Sequence, residues 1–133
     1  MIGFNHLGQH GRLGNQMFQY AALRGIAAAR GYDFAIPQSD FVDEWKDHQL
    51  FETFKMPHST NRGYQLQPEY YQEKQFHYDQ AYVDNCPDQI CLFGYFQTEK
   101  YFENITDSIR EDFTFHDEIV ETCQEFIEQV ENP

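Results

Sequence analysis

The sequence has no Asp or Glu in its first 32 residues and no Lys or Arg after Arg110. No apolar run approaches the ~20 residues of a membrane-spanning helix. Met1-Ile2-Gly3-Phe4 also lacks the basic segment that opens a signal peptide. The expectation is a chain that starts at Met1 and works in the cytoplasm, free or peripheral to a membrane. Cysteine is scarce and odd in number: Cys86, Cys91 and Cys123. Four residues separate the first two, which is not the CxxC of a zinc knuckle, so reduced, buried thiols are expected. There is no Asp-x-Asp, no Arg-Arg pair, no repeat and no low-complexity tract. Aromatic residues, by contrast, reach 17%, with 13 Phe and 9 Tyr, which excludes a disordered chain. A length of 133 residues suits one domain, residues 1–133, able to bury a core without a staple.

The formal net charge is -13, which excludes sequence-independent attraction to nucleic acid or anionic lipid. The imbalance is uneven. Arg12, Arg24 and Arg30 face no acidic residue before Asp33, whereas eight acidic residues follow Arg110. An electropositive end in an acidic chain points to an anion site there, or to a chance cluster of three arginines.

Periodicity reads as α/β. Ile2 to Leu7 alternates as a first strand, and Gly8, Gly11 and Gly14 mark a turn. A helix is expected over 15–30, with Phe18, Ala21, Ala22, Ile26 and Ala29 on one face and Gly31 as its C-terminal cap. Phe34-Ala35-Ile36 completes a βαβ unit and so predicts a parallel sheet. Residues 37–88 lack clear periodicity; short helices around 42–54 and irregular or hairpin structure over 64–82 are expected. Residues 90–96 form a continuous apolar run, suited to a strand buried on both faces. Thr98 caps a helix over 99–112 whose inward residues are Tyr101, Ile105, Ile109 and Phe113. A last helix over 117–131, capped by Asp117, sets Ile119, Cys123, Phe126, Ile127 and Val130 against Glu118, Glu121, Glu125 and Glu128. The sequon Asn104-Ile105-Thr106 falls within a predicted helix and is discounted for glycosylation.

Chemistry concentrates in the turn Gly8-Gln9-His10-Gly11-Arg12-Leu13-Gly14-Asn15-Gln16. Glycines let the backbone approach a ligand closely, and the first amides of a helix favour an anion. Arg12 adds a forked donor; Asn15 either caps the helix or turns its amide to the ligand. The same residues also make a plain strand-to-helix turn. The glycine spacing is not that of a dinucleotide-binding loop, and no phosphate-binding lysine follows. The six histidines show no metal-ligating helical spacing. Phe76-His77-Tyr78-Asp79 offers aromatic faces for a sugar, or simply packing, and no carboxylate stands out as a general base.

Two stretches carry a resemblance. HGRLGNQMFQYAALRGIAAARG, residues 10–31, resembles the N-terminal signature of the α-1,2-fucosyltransferases, glycosyltransferase family 11. LFGYFQTEKYFENITDSIREDFTF, residues 92–115, is similar to that family's second N-terminal block. Together they cover about a third of the chain, in the expected order. The resemblance implies transfer of fucose from GDP-fucose to the 2-hydroxyl of a galactoside, with inversion and without a metal or other cofactor. It implies a three-layer Rossmann-like half of a glycosyltransferase-B-type fold, a parallel sheet flanked by helices. By likeness to related protein O-fucosyltransferases, Arg12 and Asn15 would be catalytic, stabilising the departing GDP. His10, Gly11, Gly14 and Gln16 would bind substrate, Gly14 by giving clearance. The absence of Asp-x-Asp agrees with a metal-free donor site.

The family's principal donor motif, His-x-Arg-Arg-x-Asp, is absent. The likeness is therefore to the N-terminal half, and the implied partners are a nucleotide sugar, a galactoside, and a complementary C-terminal half or a second copy of the chain. The alternative is a non-catalytic glycan-binding or docking module built from that half. Either way an apolar flank is expected where the missing half would sit.

Overall fold

The computed structural model describes residues 1–8, 12–37, 49–63 and 69–131. Four parallel strands form one sheet: β1 (Ile2–Gly3), β2 (Phe34–Ala35), β3 (Tyr70–Gln72) and β4 (Cys91–Phe93), in the order β2-β1-β4-β3. Helices flank it: α1 (Leu13–Arg30), α2 (Leu50–Thr53), α3 (Gln80–Asp84), α4 (Thr106–Asp112) and α5 (Asp117–Glu131). The architecture is α/β and compatible with a Rossmann-like fold. No helix among the described residues is long and apolar enough to cross a membrane.

Registered partners in parallel strands share a face. Ile2, Phe34, Tyr71 and Leu92 therefore lie on one side, and Gly3, Ala35, Tyr70, Cys91, Gln72 and Phe93 on the other. The large side chains of the first set pack with Tyr20, Leu23, Ile26 and Ala27 of α1 in the main core. Cys91 and Leu92 point to opposite faces and both are fully buried, as expected of an interior parallel strand.

α1 begins two residues earlier than periodicity suggests. Arg12 stands at the N-cap in extended backbone and makes no side-chain cap, and Gly31 ends the helix at φ 71°, its amide bonding back to Ala27 and Ala28. Asn15 is thus inside the first turn and not the cap. Residues 19–27 are buried without interruption, so the helix is surrounded rather than half-covered. Phe18, expected inward, is 37% exposed, and Ala29 faces solvent.

The first strand is shorter than the expected 2–7. The Leu7 amide turns back to the Phe4 carbonyl and Gly8 takes φ 95°, so the chain leaves the sheet after Gly3. Of the irregular or hairpin structure expected over 64–82, the described residues form no hairpin: they hold β3 and α3, joined by irregular backbone over 73–79. β3 is a polar edge strand whose partner is a parallel neighbour, and Asp79 caps α3 by accepting from the Tyr82 amide. Of the helices expected at 42–54, α2 is seen; residues 42–48 lie outside the described ones.

The expected helix over 99–112 is interrupted. Glu99–Tyr101 and Glu103–Ile105 are 3₁₀ turns, separated by Phe102 at ψ 13°, and only α4 is α-helical. The cause is α1: a Cβ on Gly25 would lie 1.9 Å from the Tyr101 carbonyl oxygen, so the two backbones touch there. Asn104 of the sequon donates to the Gly25 carbonyl at 3.2 Å from the second turn, not from a helix. Thr98 does cap the first turn, accepting from the Lys100 amide.

α5 departs furthest from expectation. None of its residues is buried, Cys123 included, so the stripe from Ile119 to Val130 is not core. Asp117 is the first helical residue and pairs with Lys55 at 2.9 Å instead of capping. Cys86 and Cys91 are buried free thiols, and burial pushes Cys86 up to about 11.

Candidate functional site

The carboxyl ends of β1 and β4 and the N-terminus of α1 meet at one rim of the sheet, where open α/β sheets place ligands. Three layers of sequence build this rim: the turn after β1, the first turn of α1, and the segment Gly94-Tyr95-Phe96-Gln97 after β4.

Arg12 is exposed, and among the described residues its guanidinium has no hydrogen-bond or ion-pair partner. The first intrahelical bond runs from the Gln16 amide to the Arg12 carbonyl at 3.0 Å. The amides of Leu13, Gly14 and Asn15 therefore point outward without helical partners. Because the helix starts at Leu13 and not at residue 15, these three are its free donors.

Gly14 and Gly25 lie on the same helix and differ in kind. A Cβ at Gly25 would collide with backbone; at Gly14 it would meet nothing within 4 Å. Gly14 has no positive φ to excuse it either. Folding does not require a glycine at this exposed position, where alanine would favour the helix.

Asn15 accepts a hydrogen bond from Gln97 Nε2 at 2.6 Å, joining the start of α1 to the end of β4. Gln19, one turn on, donates to the Gly94 carbonyl at 3.0 Å, while its own Oε1 is buried without a partner. Gln16 is 3% exposed and accepts from the Gln49 amide at 2.9 Å, which directs it to the segment before α2. His10 and Gly11 lie outside the described residues.

Sequence reasoning missed Glu73. Just beyond β3, its two carboxylate oxygens accept from the Tyr95 and Phe96 amides at 3.2 and 3.1 Å. It clamps a turn in which Phe96 adopts φ 51° and Gly94 has Glu73 Cβ only 2.5 Å from where its own Cβ would be. Desolvation raises its carboxyl above the ordinary glutamate value, against the opposing pull of the two amides. Nearby, His6 Nε2 and the Tyr70 hydroxyl are 2.9 Å apart, and both rings pack on Phe93. The only signal in the sequence was the Gly-Tyr-Phe-Gln strand end.

The three early arginines do not converge. Arg24 is buried and bonds Asp112 Oδ2 at 2.8 Å and Ser108 at 2.6 Å. Arg30, at the far end of α1, lies over Tyr32. Arg12 alone serves the rim, so the electropositive end inferred from charge is one guanidinium plus helix amides. Of the aromatic tetrad, Phe76 is 81% exposed, Tyr78 packs on Tyr101 and Asp79 is spent as a cap. Among the described residues, no three His, Cys, Asp or Glu side chains form a metal-ligating group.

No family model matches this chain, and no curated protein or solved structure matches it.

Proposed function

We propose that this chain is the acceptor-side half of a fucosyltransferase-like, glycosyltransferase-B-type enzyme. In this reading its rim at α1 meets the diphosphate of GDP-fucose. The observation that carries the reading is Gly14: a glycine in the first turn of α1 that the fold leaves free to be alanine. A ligand approaching the free amides of 13–15 gives it a reason, because a methyl group there would stand in the way. Arg12 beside those amides supplies a bidentate charge-assisted contact to the same phosphate. As the bond to fucose breaks, negative charge grows on the departing GDP, and donors fixed in advance stabilise it. Asn15, held by Gln97, orients this turn. The Arg-Arg donor motif is missing from the sequence, so transfer requires a complementary half.

The test is calorimetry and thermal melting with GDP. GDP should raise the parent's midpoint; Arg12→Ala should lose affinity about ten- to a hundredfold, and Arg12→Lys should recover only part. Gly14→Ala should fold at least as well as the parent and no longer bind. If GDP shifts neither parent nor variants, the loop is a turn and this reading fails. The second reading, a non-catalytic docking module, draws on the uncovered α5.

A further inference from the structure

α5 is the helix with the clearest division of character and the least burial. Phe126 and Val130 are each 66% exposed and Ile127 51%, with Ile119, Val120 and Cys123 along the same side. A stripe of this kind on a water-soluble surface marks a contact site. The helix is also firmly aimed. His116 donates through its amide to the Thr53 carbonyl, and its ring Nε2 lies 2.6 Å from the Phe51 carbonyl. Phe115 pairs with Phe54 in an antiparallel bridge, and Lys55 pairs with Asp117. The root is fixed to the body and the next three turns are bare. Phe115, itself 47% exposed, carries the apolar surface back onto the body.

Charge narrows what can cover it. α5 holds Asp117, Glu118, Glu121, Glu125, Glu128 and Glu131 and no basic residue; Glu131 stands one turn from Ile127, beside the stripe. A second copy would bring another chain of net charge -13 and another acidic helix, with Lys55 answering Asp117 alone, within a Debye length or two. An anionic membrane surface is repelled likewise. We infer that α5 docks into an apolar groove bordered by lysine and arginine on a partner protein. Phe126 and Ile127 are the buried anchors, and the glutamates meet the basic border. The inference stands apart from the loop at α1, since no residue of α5 belongs to that rim.

The probes are two synthetic helical peptides with the same leucine stripe, one flanked by lysines and one by glutamates. Titrated into the full chain at low salt, the lysine peptide should bind one to one. Its affinity should fall about tenfold or more at 0.5 M salt, and by at least as much in the Phe126→Asp, Ile127→Asp double variant. The glutamate peptide should not bind. Because no α5 side chain is buried, the variant should keep the parent's circular dichroism and melting midpoint. Three results would overturn the inference: neither peptide binds, both bind alike, or the variant binds the lysine peptide as well as the parent. Sedimentation showing a parent dimer that the variant abolishes would give the face to a second copy and overturn it too.

Discussion

Two long helices, each read from periodicity as having one side to cover, end in opposite situations. α1 has eighteen residues, ten of them buried; α5 has fifteen and none buried. α1 carries few charges, and its single buried cation has a counter-ion supplied from far along the chain. α5 carries six carboxylates and an apolar stripe of which no residue is buried. Periodicity shows that a helix has a side to cover; it does not show what covers it. That depends on which surfaces the remaining sequence can bring there, and here the available ones are spent around α1.

The sharpest way to break this contrast is at the buried network of α1. Asp112 is fully buried and accepts from Tyr20 at 2.5 Å, Arg24 at 2.8 Å and the His58 amide at 2.8 Å. Asp112→Ala leaves an unpaired guanidinium in the interior and should cost about 3–5 kcal/mol, read as a shift in urea midpoint. Gly25→Ala should come next. Its methyl must push the Tyr101 turn away from α1, at roughly 1–3 kcal/mol or more, with the 3₁₀ turns losing hydrogen-exchange protection first. In α5, Phe126→Asp with Ile127→Asp should change stability by less than about 0.5 kcal/mol, the contrast at its plainest. A loss comparable to the α1 variants would mean that α5 is covered by its own chain.

The pH response gives a finer measure. Desolvation raises Glu73 above its unfolded value, so between the two values the native chain binds more protons than the unfolded one. This group therefore adds stability as pH falls from neutral toward the ordinary glutamate value. Asp117 is displaced the other way by Lys55. Its contribution is present above the unfolded aspartate value and is lost as pH falls through the lowered one. Denaturation midpoints at pH 7 and pH 5 should thus show a gain from Glu73 that Glu73→Gln abolishes, and no change from Asp117→Asn over that range beyond a constant offset.

Legibility followed how local the determinants are. α1 and the centre of β4 could be read because dense alanine before Gly31, and an apolar run at 90–96, carry their own pattern. The strand expected over 90–96 nevertheless ends at Phe93, where Gly94 and Phe96 at positive φ turn the chain. β3 could not be read: Tyr70-Tyr71-Gln72 is a half-exposed edge strand with Glu on either side, and nothing in it alternates. The break at Phe102 was hidden beneath a tidy period of four, because its cause is the backbone of Gly25, far away in sequence. The rim was half legible. Arg12 and Gly14 announce themselves in a glycine-rich turn, but Asn15 meets Gln97 across 82 residues, and Glu73 sits in the stretch without periodicity. Charge clustering could not separate its two readings, an anion site or a chance cluster, since three arginines close in sequence fall at the helix's start, its buried middle and its far end.

The bond between Arg24 and Asp112 spans 88 residues of sequence. At ~5–20 residues per second, a ribosome delivers the carboxylate roughly 4–18 s after the guanidinium. Throughout that interval the middle of α1 has neither its counter-ion nor the turns at 99–105 that wrap it. A newborn chain is therefore most open to aggregation through the helix that is best covered when synthesis ends, and slowing translation between residues 30 and 112 should lower the yield of folded protein.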